Sequence, residues 1–302
     1  MSEAFYTDKA RVRASFEKAA ASYDSAAVLQ REVSDRMAER LEYIKHQPAV
    51  ILDAGAGTGY GAAQLRGRYP QARVLELDLA HAMLLASRER GRAGDGLLKK
   101  LFKPSLPWQV VADIERLPLA DDSVDMIWSN LTIQWINVPD KMFAELRRVL
   151  KPDGLLMFST LGPDTLHELR GAFAGVDAAT HVNQFIDMHD IGDALMRAGF
   201  AEPVMDMEKI VLTYDDAKGA MRDLKAIGAH NATAGRGRGL MGKAAWRKVE
   251  EAYEKHRRDG KLPASYEVVY GHAWKGSGKK VAKMTDDGRQ VIEFVKKAPR
   301  AD

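Results

Sequence analysis

The feature that most constrains this chain is a glycine-rich stretch at residues 50–59. It begins as a short apolar run, ends that run in Asp53, and continues through Gly55, Gly57 and Gly59. A strand that enters a helix through such a loop is typical of sites for nucleoside-bearing cofactors, because glycines let the ligand approach the backbone. The stretch therefore predicts an α/β fold with a ligand at the carboxyl end of this strand.

The loop also indicates which cofactor is bound. The dinucleotide pattern G-x-G-x-x-G fails because Tyr60 stands at the third glycine, although a looser form fits Gly57, Gly59 and Ala62. D-x-G-x-G-x-G, beginning at Asp53, fits better. An acid at this point suits a ligand with a cationic amino-acid end and repels a pyrophosphate. We therefore expect S-adenosyl-L-methionine, with a nicotinamide dinucleotide as the alternative.

Polar side chains recur where later apolar runs end. With the apolar residues that follow them, they are Asp78 and Leu79, Asp113 and Ile114, and Asn130 and Leu131. A single aspartate is more often a helix cap or turn residue. Four polar positions at the ends of four successive strands instead predict one site at the carboxyl edge of a sheet. We expect Asp78 to hold the ribose hydroxyls and Asp113 to accept from the adenine amino group.

Apolar runs alternate with helical periodicity, which predicts a parallel sheet covered by helices on both faces. Strands are expected at residues 50–53, 73–77, 108–112, 124–129, 154–160, 204–213 and 265–274. Helices are expected within 9–46 and at 59–68, 81–90, 140–150, 187–200, 215–227 and 241–258. We predict a helical cap (1–48), a cofactor-binding core (49–213 and 264–275), a helical insertion (214–263) and a flexible basic tail (276–302).

Composition excludes several classes of function. The chain has 302 residues, no cysteine and a net charge of +3. It therefore has no disulfide, no thiolate metal site and no cysteine nucleophile. No window is apolar enough to span a membrane, and we expect a cytoplasmic protein without a metal. The charge is too small to favour nucleic acid, although Gly235 to Gly239 form a short glycine-arginine tract.

The order of these motifs resembles that of the class I S-adenosylmethionine-dependent methyltransferases. The resemblance covers residues 49–213 and 264–274, and it implies a Rossmann-like sheet of seven strands whose last strand is antiparallel. A closer resemblance is to the malonyl-acyl-carrier-protein O-methyltransferases of biotin synthesis. The matching segments are residues 16–24, 29–31, 128–135, 181–185, 221–229 and 270–274. The sequence departs from many of these relatives at Ala56, where cysteine is frequent.

This resemblance implies methylation of the free carboxylate of a malonyl thioester. Such a carboxylate has a pKa of about 4 and needs no general base at neutral pH. The alternatives are a quinone-type C-methyltransferase, a protein-modifying relative active in respiratory-complex assembly, and an assembly factor that binds the cofactor without transferring a methyl group.

Several further residues are expected in the site. Arg222 and Lys225 are candidates to hold the substrate carboxylate, since cations three apart share a helix face, although a solvated basic face is the alternative. Trp135 and Gln134 should wall the transfer pocket, and Tyr23 and Gln30 should cover the methionine end of the cofactor. Ala56 and Met83 are also expected beside the cofactor. If the last strand lies beside the cap, Tyr270 and His272 face the substrate, although a structural role is the alternative for His272.

The implied partner is an acidic acyl carrier protein. The segment 222–258 is rich in basic residues, namely Arg236, Arg238, Lys243, Arg247, Lys248, Lys255, Arg257 and Arg258. Such a set would attract an acidic protein and make the association sensitive to salt. The alternative is a solvated helix face, because glutamates are interleaved with these cations.

Overall fold

The computed structural model describes residues 6–93, 108–176, 180–229, 233 and 241–277. Predictions for Arg236, Arg238 and the tail from residue 278 lie outside these residues. Seven strands are present in the described part. They are β1 Val50–Ala54, β2 Arg73–Asp78, β3 Trp108–Val111, β4 Val124–Ser129, β5 Leu150–Leu161, β6 Ala201–Tyr214 and β7 Leu262–Trp274.

The strands form one sheet in the order β3-β2-β1-β4-β5-β7-β6. The first five positions in this order are parallel, and β7 runs antiparallel to both β5 and β6. The order reverses between β1 and β4, where ligands bind in open α/β sheets. The predicted seven-stranded, Rossmann-like sheet with an antiparallel last strand is therefore confirmed.

Helices cover both faces of the sheet. In the described residues they are α1 Lys9–Ala26, α2 Val28–Arg40, α3 Tyr60–Arg68, α4 His81–Ala93, α5 Pro139–Val149, α6 His167–Ala174, α7 Met188–Arg197, α8 Ala217–Ala226 and α9 Lys243–Glu254. Helices α8 and α9 lie in sequence between β6 and β7. No helix in the described ranges is both long and apolar enough to cross a bilayer.

The sheet separates two apolar clusters, because successive side chains of a strand point to opposite faces. Ile51 belongs to the cluster that includes Met37 and Tyr253, whereas Leu52 belongs to the cluster that includes Phe143 and Leu195. All six side chains are almost completely excluded from solvent. Burial on both faces holds the carboxyl ends of the central strands in fixed positions.

The predicted boundary between the helix at 140–150 and the strand that follows it was wrong. The helix expected at 140–150 ends at Val149, and β5 begins at Leu150 rather than at residue 154. Leu150 pairs with Val124, and a register shift follows before Met126 pairs with Leu155. The Lys-Pro-Asp-Gly sequence therefore forms an irregular stretch of strand, with Asp153 at φ +62°, instead of a turn before the strand.

Candidate active site

A cavity of about 710 Å³ lies at the carboxyl ends of β1 to β4, where the sequence predicts the cofactor site. The predicted cofactor residues that line it are Tyr23, Gly55, Gly57, Asp78, Leu79, Met83, Asp113, Ile114, Asn130 and Leu131. A recess of about 440 Å³ adjoins this cavity, and its lining includes Gln30, Asp53 and Ala56. The strand ends thus bring together the predicted acids and the glycine loop.

Gly55 is held in a conformation and a space that suit glycine alone. Its φ is +84°, and an added Cβ would lie 2.6 Å from Cγ2 of Thr132 and closer still to the hydroxyl. The amides of Gly55 and Ala56 both donate to the carbonyl of Leu77, at 2.7 and 2.9 Å. These bonds fix the loop from β1 against the end of β2.

Asp78 accepts backbone hydrogen bonds at both carboxylate oxygens. Gly57 N donates to Oδ2 at 2.9 Å, and Ala80 N donates to Oδ1 at 2.8 Å. Burial raises the pKa of Asp78 to about 6, although these amide bonds partly offset the effect. Each oxygen retains a lone pair for a further donor, so the ionised group can accept from the hydroxyls of a ribose diol.

Asp53 is 2% exposed, and its Oδ2 has no hydrogen-bond partner in the described part of the chain. Burial, and then the charge of Glu76, raise the pKa of Asp53 well above its usual value, while Arg66 opposes the shift. An unpartnered buried carboxylate oxygen is costly. The ammonium group of S-adenosylmethionine would supply a charged partner here, so the residues of this recess fit that cofactor.

Asp113 lines the cavity, but its carboxylate is engaged. Lys9 Nζ donates to Oδ2 at 2.5 Å, and Glu115 N donates to Oδ1 at 3.0 Å. Lys9 also forms an ion pair with Glu115. Lys9 was not predicted from the sequence, because it lies 104 positions from Asp113 and matches no local motif. The acid expected to take the adenine amino group therefore also holds the start of α1.

Helix α1 closes the cofactor cavity from the side opposite the sheet. Glu17 accepts from the amides of His81 and Ala82 at the start of α4, at 2.7 and 2.8 Å. Near the other end of α1, Asp24 accepts from Thr58 Oγ1 at 2.6 Å and from Arg90 at 2.5 Å. These contacts hold Tyr23 and the rest of this wall against the glycine loop.

A second cavity of about 1070 Å³ adjoins the first. We call it the acyl cavity, after the acyl thioester that the sequence resemblance implies as substrate. Its lining is largely apolar, from α1, α2, α8 and the segments that follow β4 and β5. Four residues line both cavities, namely Phe16, Tyr23, Leu131 and Trp135. Phe16 and Trp135 make an edge-to-face contact with ring centroids 5.5 Å apart. A group in one cavity can therefore approach a group in the other between these side chains.

Some of the predicted substrate residues line the acyl cavity, and others do not. Trp135, Gln134 and Lys225 line the acyl cavity, as does Gln30. Arg222 is exposed on α8 and does not line it. Of the two cations proposed to hold a carboxylate, only Lys225 therefore contributes to the cavity wall.

Tyr270 and His272 do not lie in the site, contrary to expectation. Tyr270 is 2% exposed, and the guanidinium of Arg40 lies 3.8 Å from its ring centroid. His272 pairs in register with Met157 in the body of β5, and burial lowers its pKa. Because β7 is antiparallel to β5, its later residues run away from the carboxyl edge. Tyr266, four residues before Tyr270, lines the acyl cavity instead.

Two solved structures share this fold. The YcgJ protein from Bacillus subtilis has a TM-score of 0.54 and 15% identity, with 82% of this chain and 99% of that chain covered. The [4+2]-cyclase SpnF has a TM-score of 0.51 and 18% identity, with 82% of each chain covered. Residues 52–158 match the methyltransferase domain family and include the glycine loop, Asp78 and Asp113. S-adenosyl-L-methionine is the cofactor of this domain.

Relatives of much higher identity match almost the whole chain, and each is named malonyl-[acyl-carrier protein] O-methyltransferase. The relative from Laribacter hongkongensis is 67% identical, with 99% of this chain and 100% of the relative covered. That from Gallionella capsiferriformans is 60% identical, with 96% and 97% covered. A third, from Halorhodospira halophila, is 46% identical, with 95% and 94% covered. The chain therefore belongs to the malonyl-[acyl-carrier protein] O-methyltransferase family.

Proposed function

We propose that this protein transfers the methyl group of S-adenosylmethionine to the free carboxylate of a malonyl thioester on acyl carrier protein. The observation that carries the proposal is the contact between the cofactor cavity and the acyl cavity at Phe16, Tyr23, Leu131 and Trp135. The names of the relatives supply the acceptor and the carrier.

In the proposed cofactor pose, Asp78 accepts from the ribose hydroxyls and Asp53 faces the ammonium group. Leu79, Met83 and Ile114 then lie along the adenine, where Asp113 accepts from the exocyclic amino group. Gln30, Ala56 and Asn130 lie towards the methionine end. This pose directs the methyl carbon to the junction of the two cavities, because Tyr23 lines both cavities and the recess beside Asp53.

The reaction needs no proton transfer. A carboxylate oxygen of the acceptor attacks the methyl carbon, the carbon–sulfur bond breaks, and the electron pair stays on the sulfur of S-adenosylhomocysteine. Since the acceptor is already ionised at neutral pH, the protein has to align three atoms and remove water from the nucleophile. The apolar walls of the acyl cavity, among them Leu131 and Trp135, serve that purpose.

Lys225 is our candidate to attract the substrate carboxylate, because it lines the acyl cavity and carries a positive charge. The wider basic surface of residues 222–258 is the proposed contact for the carrier protein. Within it, Arg247 and Arg257 form ion pairs with Glu251 and Glu254 of the same helical segment, which reduces their attraction for a partner.

The direct test is mass spectrometry of malonyl-carrier protein incubated with the protein and S-adenosylmethionine. We expect the carrier to gain one methylene unit and to lose it again on treatment with an esterase. Lys225→Met should raise KM for the malonyl carrier about tenfold and leave cofactor affinity unchanged. Lys45→Met, which removes an exposed cation before β1 and outside this surface, is the matched control. No mass gain despite cofactor binding would overturn the proposed function.

A further inference from the structure

Helices α1 and α8 both contribute to the wall of the acyl cavity. Among its described lining residues, Lys225 alone is exposed, and the others are buried or half-buried. Lys225 belongs to α8, whose end packs on α1, since Ser22 Oγ donates to the carbonyl of Ala226 at 3.0 Å. Gly228 lies against Ala19 and Phe16 of α1. We call this contact the α1–α8 seam, and it forms the rim of the cavity.

Two further cations lie on the seam. Lys18 precedes Ser22 by one helical turn, and Arg222 precedes Ala226 by one turn, so both stand about 6 Å along their helices from the Ser22–Ala226 contact. Both are exposed, and neither forms an ion pair with an acidic side chain in the described ranges. Together with Lys225 they leave uncompensated positive charge around the opening.

Some cations on and near α9 are in a different situation. Arg247 pairs with Glu251, and Lys218, at the start of α8, pairs with Glu250 of α9. Just beyond α9, Arg257 pairs with Glu254. Lys243, Lys248, Lys255 and Arg258 are exposed and form no ion pair in the described residues, so positive charge on this side is only partly neutralised. The seam is distinguished by its position, because its unpaired cations lie beside Lys225, the exposed residue of the cavity lining, where they can attract an acidic partner to the cavity.

The interior of the acyl cavity indicates what enters through the seam. Three carboxamide oxygens that belong to its lining are buried and have no hydrogen-bond partner in the described part of the chain, namely those of Gln30, Gln134 and Asn183. A ligand with amide N–H groups would satisfy them. The cavity also exceeds the size of a malonyl group, and its apolar walls suit a long, uncharged arm.

We propose that the α1–α8 seam is the docking surface for an acidic carrier domain, whose amide-bearing thioester arm enters the acyl cavity beside Lys225. This inference rests on the proposed function and replaces the broad basic surface of residues 222–258 with a defined contact that includes Lys18. Lys18 and Arg222 bind the carrier and do not touch the reacting atoms.

The test compares two acceptors, malonyl-carrier protein and malonyl-pantetheine, in the full-length protein. Lys18→Glu and the double variant Lys18→Glu/Arg222→Glu should raise KM for the carrier about tenfold or more at low salt, with kcat unchanged. KM for malonyl-pantetheine should stay within twofold. Lys45→Glu makes the same charge change on an exposed cation before β1 and should leave both values unchanged. Lys248→Glu tests α9 and should raise KM for the carrier less than Lys18→Glu does. Fluorescence anisotropy of a labelled carrier measures docking independently of methyl transfer.

The outcomes separate the two proposals. Equal losses with both acceptors, or a loss with Lys248→Glu as large as with Lys18→Glu, would overturn the seam as docking surface. The seam would also be overturned if the labelled carrier showed the same anisotropy with the double variant as with the wild-type protein. If the wild-type protein methylates neither acceptor but binds the carrier through Lys18, the seam stands and the proposed methyl transfer fails.

Discussion

Lowering the pH from 7 to 5 should weaken cofactor binding about tenfold, and Asp78 is the reason. Burial raises the pKa of this carboxyl to about 6, so it is about nine-tenths ionised at pH 7 and about one-tenth ionised at pH 5. Only the ionised form keeps both oxygens as acceptors for the ribose hydroxyls, because Gly57 N and Ala80 N already occupy one lone pair on each.

The assay is isothermal titration calorimetry with S-adenosylhomocysteine at pH 5, 6 and 7. The dissociation constant should rise mainly below pH 6. Asp78→Asn should bind more weakly at pH 7 and lose most of the pH dependence, because its amide does not titrate in this range. If the affinity of Asp78→Asn still falls tenfold between pH 7 and pH 5, Asp78 is not the cause. The titrating group would then be Asp53, because burial raises its pKa as well.

Stability should respond to pH in the opposite direction. The folded-state pKa of Asp78 lies above the ordinary value of 3.8, so burial of the charged form destabilises the folded protein at pH 7. In the cofactor-free protein this cost should disappear as the pH falls through about 6 towards 4. Thermal unfolding of the wild type and of Asp78→Asn over this range measures the contribution of the group.

Two further substitutions test the description of the site. Gly55→Ala should lower cofactor affinity more than tenfold, as measured by calorimetry. The added Cβ would overlap Thr132, and a φ of +84° is strained for any residue with a side chain. Gly67→Ala, within α3 and with nothing within 4 Å of the added Cβ, is the control and should bind normally. His272→Gln should keep kcat within twofold of the wild type in the mass-spectrometric assay, because His272 lies in the body of β7 away from both cavities. A loss of kcat of tenfold or more would indicate that His272 belongs to the active site.

Short segments of the sequence were enough to predict which strand ends line the cofactor cavity. Asp53, Asp78, Asp113 and Asn130 each follow an apolar run directly, so once the parallel sheet is assumed their positions at one edge follow from strand direction alone. The same locality explains why the strand positions could be predicted to within a few residues.

The errors concern residues whose neighbours are distant in sequence. The register and direction of β7 decide whether Tyr266 or Tyr270 reaches the cavity, and both depend on pairing with β5 and β6. Helix α6, with eight residues and a glycine in its middle, gives too weak a periodic signal to be predicted. The ion pair between Lys9 and Asp113 joins segments that no local pattern connects.

The common wall between the two cavities limits how this enzyme can diverge. A substitution at Phe16 or Tyr23 changes the space on both sides, so a gain for a new acceptor there would be coupled to a change in cofactor affinity. Leu169 and Met221 line the acyl cavity alone. New acceptor preferences should therefore arise first at such positions, where the chain can vary while the cofactor site stays intact.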